Sequence, residues 1–398
     1  MNHAEPVTID VPQGVLKAAR KRVGLSVGEA ASLLSTRLVS ESEQPITATE
    51  LTAWESSARN PTLAQAEVAA SVYLVPFVAL AAGELPRILL RDFRLRPGKS
   101  AASLSYATLT TLGAFGDLYQ LARRVVTALG MAESDLAVPR LMLPDNADSS
   151  SVERVASDIR RALRLDADTQ LLWPKQGAAA AAVQEAIEST GVFVFHLAMP
   201  LDECRGASRW DASGPPAVLV NSSDSQSAQL FTLVHEYVHL ALSATQAGTV
   251  LCDPSTRSGA VSDEIFANRV AAAVLVPREL LDLALPSATP SGSYDIWPAS
   301  LRRQLQRTFH VSQDVIGIRL FHLEKAARPN WTKGFWRHPE PDSRGRSLPR
   351  AVKLARSFGP RTVRLARGAV DSEAVSPVEL SRLLDEKVED LVGALDLP

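Results

Sequence analysis

The sequence predicts an α+β chain that is mostly helical, with one small sheet. Residues 101–131, 150–164 and 263–276 repeat apolar positions at helical spacing with no proline inside. Only two short apolar runs, Val192–Leu197 and Ala217–Val220, have the composition of strands. The 398 residues, 46% of them hydrophobic, allow two or three domains with real cores. Shifts in composition and motif content suggest segments at 1–85, 86–150, 151–327, 328–350 and 351–398.

At the N-terminus, Leu16–Ala31, Leu51–Glu55 and Arg59–Leu63 together resemble the XRE, or Cro-like, helix-turn-helix fold over about residues 13–80. The resemblance implies a five-helix domain with Leu16, Ala19, Val23, Leu25, Ala30 and Trp54 in its core. Ser26 would cap the second helix, and Thr47 or Thr49 would start the third. That third helix would read DNA, yet it presents Ala48, Thr49, Glu50, Thr52 and Ala53, none of which makes bidentate contacts to a base. The turn before it is stretched and carries Glu41 and Glu43. Lys17, Arg20, Lys21, Arg22, Arg37 and Arg59 balance Glu29, Glu41, Glu43, Glu50, Glu55 and Glu67, so the segment has no net charge. DNA binding is therefore expected to rest on the basic cluster containing Lys17, Arg20 and Lys21, with Thr49 and Thr52 on the reading helix. The competing reading is a protein-docking module.

Arg87–Pro97 is a basic, apolar connector. Leu109, Leu112, Phe115, Leu118, Leu121 and Val125 then mark a helical bridge, followed by a second helix over 150–164. Val192–Leu197 reads as a strand in which His196 is a structural histidine. Ala217–Val220 is the next strand, and the polar run Asn221–Ser227 after it offers capping groups for a helix. That helix contains His235-Glu236-Tyr237-Val238-His239. Positions i and i+4 of a helix differ by only about 40° around its axis, so both imidazoles can grip one ion while Glu236 reaches a water held there. The competing reading is a core helix with two satisfied histidines and a surface glutamate.

A hydrolytic zinc takes three protein ligands and keeps one position open for water. Glu264 is the best third ligand. It lies in a helical pattern that runs from Asp263 and ends at Pro277, and Ala267, Ala271 and Val274 share its spacing, giving a face of small residues that allows close helix contact. Asp263 points about 100° away, and Cys252 falls in a loop. With His235, His239 and Glu264 as ligands, Glu236 would take the proton of the water that attacks a polarised carbonyl. Tyr237, His310, His322 and Arg319 are all candidates for the proton donor or oxyanion stabiliser.

Arg205-Gly206, Pro216–Asn221, Phe231–His239, Glu264–Asn268 and Leu275-Val276-Pro277 occur in an order that resembles the ImmA/IrrE metallopeptidase family over about residues 150–325. The resemblance implies a gluzincin-like zinc peptidase with His235, His239 and Glu264 as Zn2+ ligands and Glu236 as catalytic base. Its substrate would be a helix-turn-helix repressor whose cleavage releases silenced genes. Asp92-Phe93-Arg94 in the connector also occurs in fused members. Tyr237 departs from the commoner leucine. The strand ending at Asn221 is expected to pair with the substrate peptide, with Asn221 among the substrate-binding residues.

Beyond residue 327 the chain changes character. Pro329, Pro339, Pro341 and Pro349 alternate with arginines in an irregular arm that also holds Trp331, Phe335 and Trp336. Residues 351–393 read as two or three amphipathic helices, one starting at Ser376-Pro377, and a homodimer contact is one role for them. A net charge of −2 gives no general pull toward nucleic acid or membrane. Two cysteines are too few for a disulfide framework, and neither a secretory leader nor a membrane span is apparent, so the cytoplasm is the expected location. Two function classes follow: a zinc endopeptidase acting on a repressor, and a DNA-binding regulator whose peptidase-like domain only senses a ligand or metal.

Overall fold

The computed structural model describes residues 7–38, 45–85, 104–131, 138–142, 148–210, 214–243, 260–327, 349–384 and 386–397. The connector at 87–97, Glu41, Glu43, Cys252 and the arm residues Trp331, Phe335 and Trp336 lie outside them. The described residues hold seventeen α-helices and one three-stranded sheet, so the chain is mostly helical as expected. They divide into two compact units, one ending at Gly113 and one beginning at Ala114. No described helix is long and apolar enough to cross a membrane.

The first unit contains α1 (Val15–Arg22), α2 (Val27–Arg37), α3 (Ala48–Glu55), α4 (Leu63–Val72), α5 (Phe77–Ala82) and the first turns of α6 (Tyr106–Ala128). Its helix starts are written locally. Ser26 Oγ accepts from Glu29 N at 3.2 Å while Glu29 Oε2 accepts from Ser26 N at 2.8 Å, a reciprocal cap on α2. Thr62 and Gln65 repeat the device on α4, and Thr47 caps α3. Leu16, Ala19, Val23, Leu25, Ala30 and Trp54 are all buried. Each large apolar side chain in such a core contributes about 1.5–3 kcal/mol.

This interior also takes a charge pair that the sequence reading placed elsewhere. Arg20, expected to meet DNA, is 6% exposed. It donates through Nε and Nη2 to both oxygens of Glu55, at 2.5 and 2.9 Å, and through Nη1 to Leu25 O at 2.7 Å. A guanidinium so committed is unavailable to phosphate. Lys17, Lys21, Thr49 and Thr52 are exposed, although Thr52 Oγ1 donates to Ala48 O within its own helix.

The second unit begins within α6 and continues through α7 (Ser149–Ala162), α8 (Ala167–Leu171), α9 (Gln176–Ser189), β1 (Phe193–Leu197), β2 (Gly206–Arg209), β3 (Ala217–Asn221), α10 (Gln226–Ser243), α11 (Ala260–Leu275), α12 (Arg278–Ala284), α13 (Ala299–Phe309), α14 (Gln313–His322), α15 (Arg350–Asp371), α16 (Pro377–Leu384) and α17 (Val388–Leu395). The sheet order is β1-β3-β2. β1 runs parallel to β3, with Phe193 opposite Ala217, and β2 runs antiparallel, with Gly206 opposite Val220. Alternate residues divide between two layers. Val194, Val218 and Val220 enter a core shared with α7, α9, α10 and α11. On the other face Phe195 meets Phe115 of α6 edge-on at 6.0 Å.

Helix α15 packs along β1. It breaks at Gly359 (φ 74°, ψ 157°), where a Cβ would stand 2.5 Å from Val194 O, so only glycine fits. Just past the break, the buried Glu188 carboxylate accepts from Arg361 N at 3.0 Å and from Gln184 Nε2 at 3.0 Å. Its burial raises the Glu188 pKa against the pull of these bonds. The central strand is β3, flanked on both sides, so, contrary to the expectation from sequence, it cannot take an added peptide strand. Among the described residues, β2 has a strand neighbour on one side only.

Candidate metal centre

The turn leading into the metal helix is built around Asn221. Its Nδ2 donates to Met199 O at 3.0 Å and to Cys204 O at 2.9 Å, while its Oδ1 accepts from Met199 N at 3.2 Å and Ser223 N at 3.0 Å. Two donors and two acceptors exhaust a carboxamide's usual capacity, and the residue is fully buried. Asn221 is therefore a latch holding the end of β3 to the loop after β1, not the substrate contact expected of it. Arg205 pairs with Asp224 at 2.8 Å in the same turn, and Ser225 Oγ accepts from Ala228 N at 3.4 Å to start α10. The polar run does supply the cap.

From that start, α10 carries Leu233, Val234, Tyr237, Val238, Leu240 and Ala241 into the core, with His235 and His239 one turn apart. Helix α11 packs against α10, with Ala267 and Ala271 fully buried along the way. Three ligand-type atoms, on His235, His239 and Glu264, lie within 4.8 Å of one another. The two Nε2 atoms are 2.8 Å apart, and the Glu264 oxygens stand 3.6 Å from His235 Nε2 and 3.4 Å from His239 Nε2. A tetrahedral zinc with bonds of about 2.0–2.1 Å holds its ligand atoms about 3.3–3.4 Å apart. The carboxylate distances, from Oε1 to His235 and from Oε2 to His239, lie at or just above that figure, and the histidine pair is about half an ångström closer. The donor set, two imidazoles and one carboxylate, suits a metal centre with a position left open. His235 is buried while the Glu264 side chain is 30% exposed, so the trio opens to solvent beside Glu264.

Glu236 is 1% exposed and lies under β2. A Cβ at Gly206 would stand 3.2 Å from Glu236 Cγ and 3.0 Å from Leu219 O, and would press into Thr232 Cγ2. The absence of a side chain at Gly206 thus lets the strand lie directly on α10 at Thr232 and Glu236. In the sequence alone, Gly206 is marked only by its place in Arg205-Gly206.

Of the four other candidates, His310 and Arg319 have partners outside the trio, and Tyr237 and His322 are set apart by burial. Tyr237 is fully buried in the core, and burial pushes its phenol up to about 12. His310 ends α13 in the left-handed conformation, with Nε2 3.0 Å from Trp173 O. Arg319 holds both oxygens of Glu153, at 2.5 and 2.8 Å. Burial, reinforced by Arg269 and Arg319, lowers the His322 pKa to about 4. His196 pairs with Gln184 at 3.0 Å, and burial lowers its pKa to about 4.

Residues 187–321, from the end of α9 to α14, match the family model of the IrrE N-terminal-like domain, Peptidase M78. That span contains β1 to β3, α10, α11 and all three ligand-type residues, and it supports a metallopeptidase-type role for this part of the chain. No curated protein and no solved structure gives a match.

Proposed function

We propose that the chain is a zinc-dependent endopeptidase in which His235, His239 and Glu264 hold the metal and Glu236 is the general base. The observation that carries this reading is the convergence of Glu264 from α11 on the histidine pair of α10. When bound, zinc acidifies a water to near neutral pKa and polarises the scissile carbonyl. Glu236 accepts the proton of the attacking water and delivers it to the departing nitrogen. Among the described residues β2 has no strand neighbour on its outer side, and we propose that an extended peptide pairs there and passes Glu236. A flexible segment or locally opened helix of a repressor can adopt that extended form.

The proposed substrate is a helix-turn-helix repressor, and the five-helix N-terminal unit is proposed to contact DNA through Lys17 and Lys21, with Thr49 and Thr52 on α3. Both lysines are exposed, which favours this second role. The test incubates zinc-loaded full-length protein, beside its Glu236→Gln variant, with repressors encoded near its own gene. Cleavage by the wild type alone supports the reading. Equal cleavage by both, or none of any candidate, overturns it.

A further inference from the structure

Helix α11 ends at Leu275, two residues before Pro277, which has no N–H to give back to the last turn. Val276 N reaches Ala272 O at 2.8 Å. The carbonyls of Val274, Leu275 and Val276 are taken by side chains. Arg160 Nη1 of α7 donates to Val274 O at 2.8 Å, Gln170 Nε2 of α8 to Leu275 O at 2.8 Å, and Arg319 Nε of α14 to Val276 O at 2.9 Å. The donors are themselves tied together. Arg160 Nη1 also donates to Gln170 Oε1 at 2.7 Å, and the Arg319 fork is closed on Glu153 of α7. Two of the three are cations at the negative end of the α11 dipole. Arg160 and Gln170 lie outside the span matched by the family model.

We propose that Arg160, Gln170 and Arg319 are positioning residues that set the axial placement of α11, and through it the distance of Glu264 from the histidine pair. The proposal rests on reading His235, His239 and Glu264 as metal ligands. Its physical basis is a division of labour along one helix. The small face at Ala267 and Ala271 lets α11 approach α10 closely but gives little resistance to sliding, because short side chains interlock poorly. Three donors on three elements, each fixed to a successive carbonyl, resist both sliding and rotation. Glu264 lies eleven residues before Leu275, about 16 Å along a stiff helix, so a shift at the clamp is carried to the carboxylate undiminished. Metal ligation tolerates only about 0.2 Å in bond length.

The test titrates full-length protein with Co2+ under chelator competition and follows the visible ligand-field band, which reports coordination geometry. Gln170→Met and Arg160→Met should bind about tenfold more weakly, with a weaker band, the size expected of partners that orient a ligand. Arg160→Lys, which restores N–H donors at Val274 O, should recover most of the loss. Ile316→Val in the core of α14 is the control for general destabilisation, with metal-free melting temperatures measured alongside. Binding by both methionine variants as tight as wild type overturns the clamp, as does an equal loss in the control at an equal drop in melting temperature. If Gln170→Met does not fold, the Arg160 pair decides alone. A wild type without a Co2+ band, or a band unchanged in Glu264→Gln, overturns the metal reading itself.

Discussion

His239 Nε2 and Glu264 Oε2 stand 3.4 Å apart across two packed helices, although 25 positions separate them in sequence. Neither helix brings them together alone. The convergence depends on α11 lying close against α10, which the buried alanines at 267 and 271 permit.

Replacing Glu236 by Gln removes the proton acceptor and keeps the ligands. Peptide cleavage should fall by at least about 100-fold, the usual worth of a general base, while zinc content stays at the wild-type level. Parallel assays of proteolysis and bound metal check both halves.

Gly206→Ala should damage the site from the strand side. The added methyl meets Thr232, Leu219 O and Glu236 Cγ, and overpacking of this kind costs about 1–3 kcal/mol. Chemical denaturation should show that loss, and cleavage should weaken because β2 can no longer lie flat over Glu236.

Asn221→Leu tests the latch. It leaves the backbone groups of Met199, Cys204 and Ser223 without their carboxamide partner, a loss of about 3 kcal/mol. Denaturant melts should show it. A variant with unchanged stability and a raised KM would instead restore Asn221 to the substrate.

In the N-terminal unit, charge should divide by burial. Arg20→Met strands the buried Glu55 carboxylate and should cost about 3–5 kcal/mol, read by denaturation. Lys17→Ala and Lys21→Ala should leave stability unchanged and, if the unit binds DNA, each should lower the salt slope of binding by about one.

Acid stability should follow His196. Its pKa is about 4 in the fold against 6.5 for the free side chain, because burial disfavours the imidazolium. Between those values the unfolded chain binds a proton that the folded one does not. The contribution is therefore complete above about pH 6.5 and lost as pH falls toward 4. His196→Gln should flatten the fall of melting temperature across that window, leaving the share due to His322, whose pKa is likewise lowered to about 4.

Much of this was legible in the chain because helical period and capping are local. The 3.6-residue spacing marked α10 and α11 and placed Glu264 on the face with Ala267 and Ala271, and Ser26, Thr47 and Ser376 are caps visible in the sequence. Strand β2 was not legible, because Gly-Ala-Ser-Arg has no β-branched or aromatic residue and is a strand only by pairing with β3. Arg20 was misplaced for a related reason. Its partner Glu55 is 35 residues away, and charge counting assigns every arginine to the surface. Asn221 ends a strand next to the metal helix, and only its four long-range and loop hydrogen bonds, invisible in the sequence, assign its carboxamide to the fold. The clamp on α11 draws on three separate elements, so no local pattern announces it.

The central claim is one metal held by two histidines of α10 and Glu264 of α11, and metal analysis of the purified full-length protein beside Glu264→Ala tests it most directly. The account predicts about one zinc per wild-type chain and nearly none in the variant, with both chains folded. Zinc retained equally by the variant, or a wild type that takes up none when it is supplied, would contradict it.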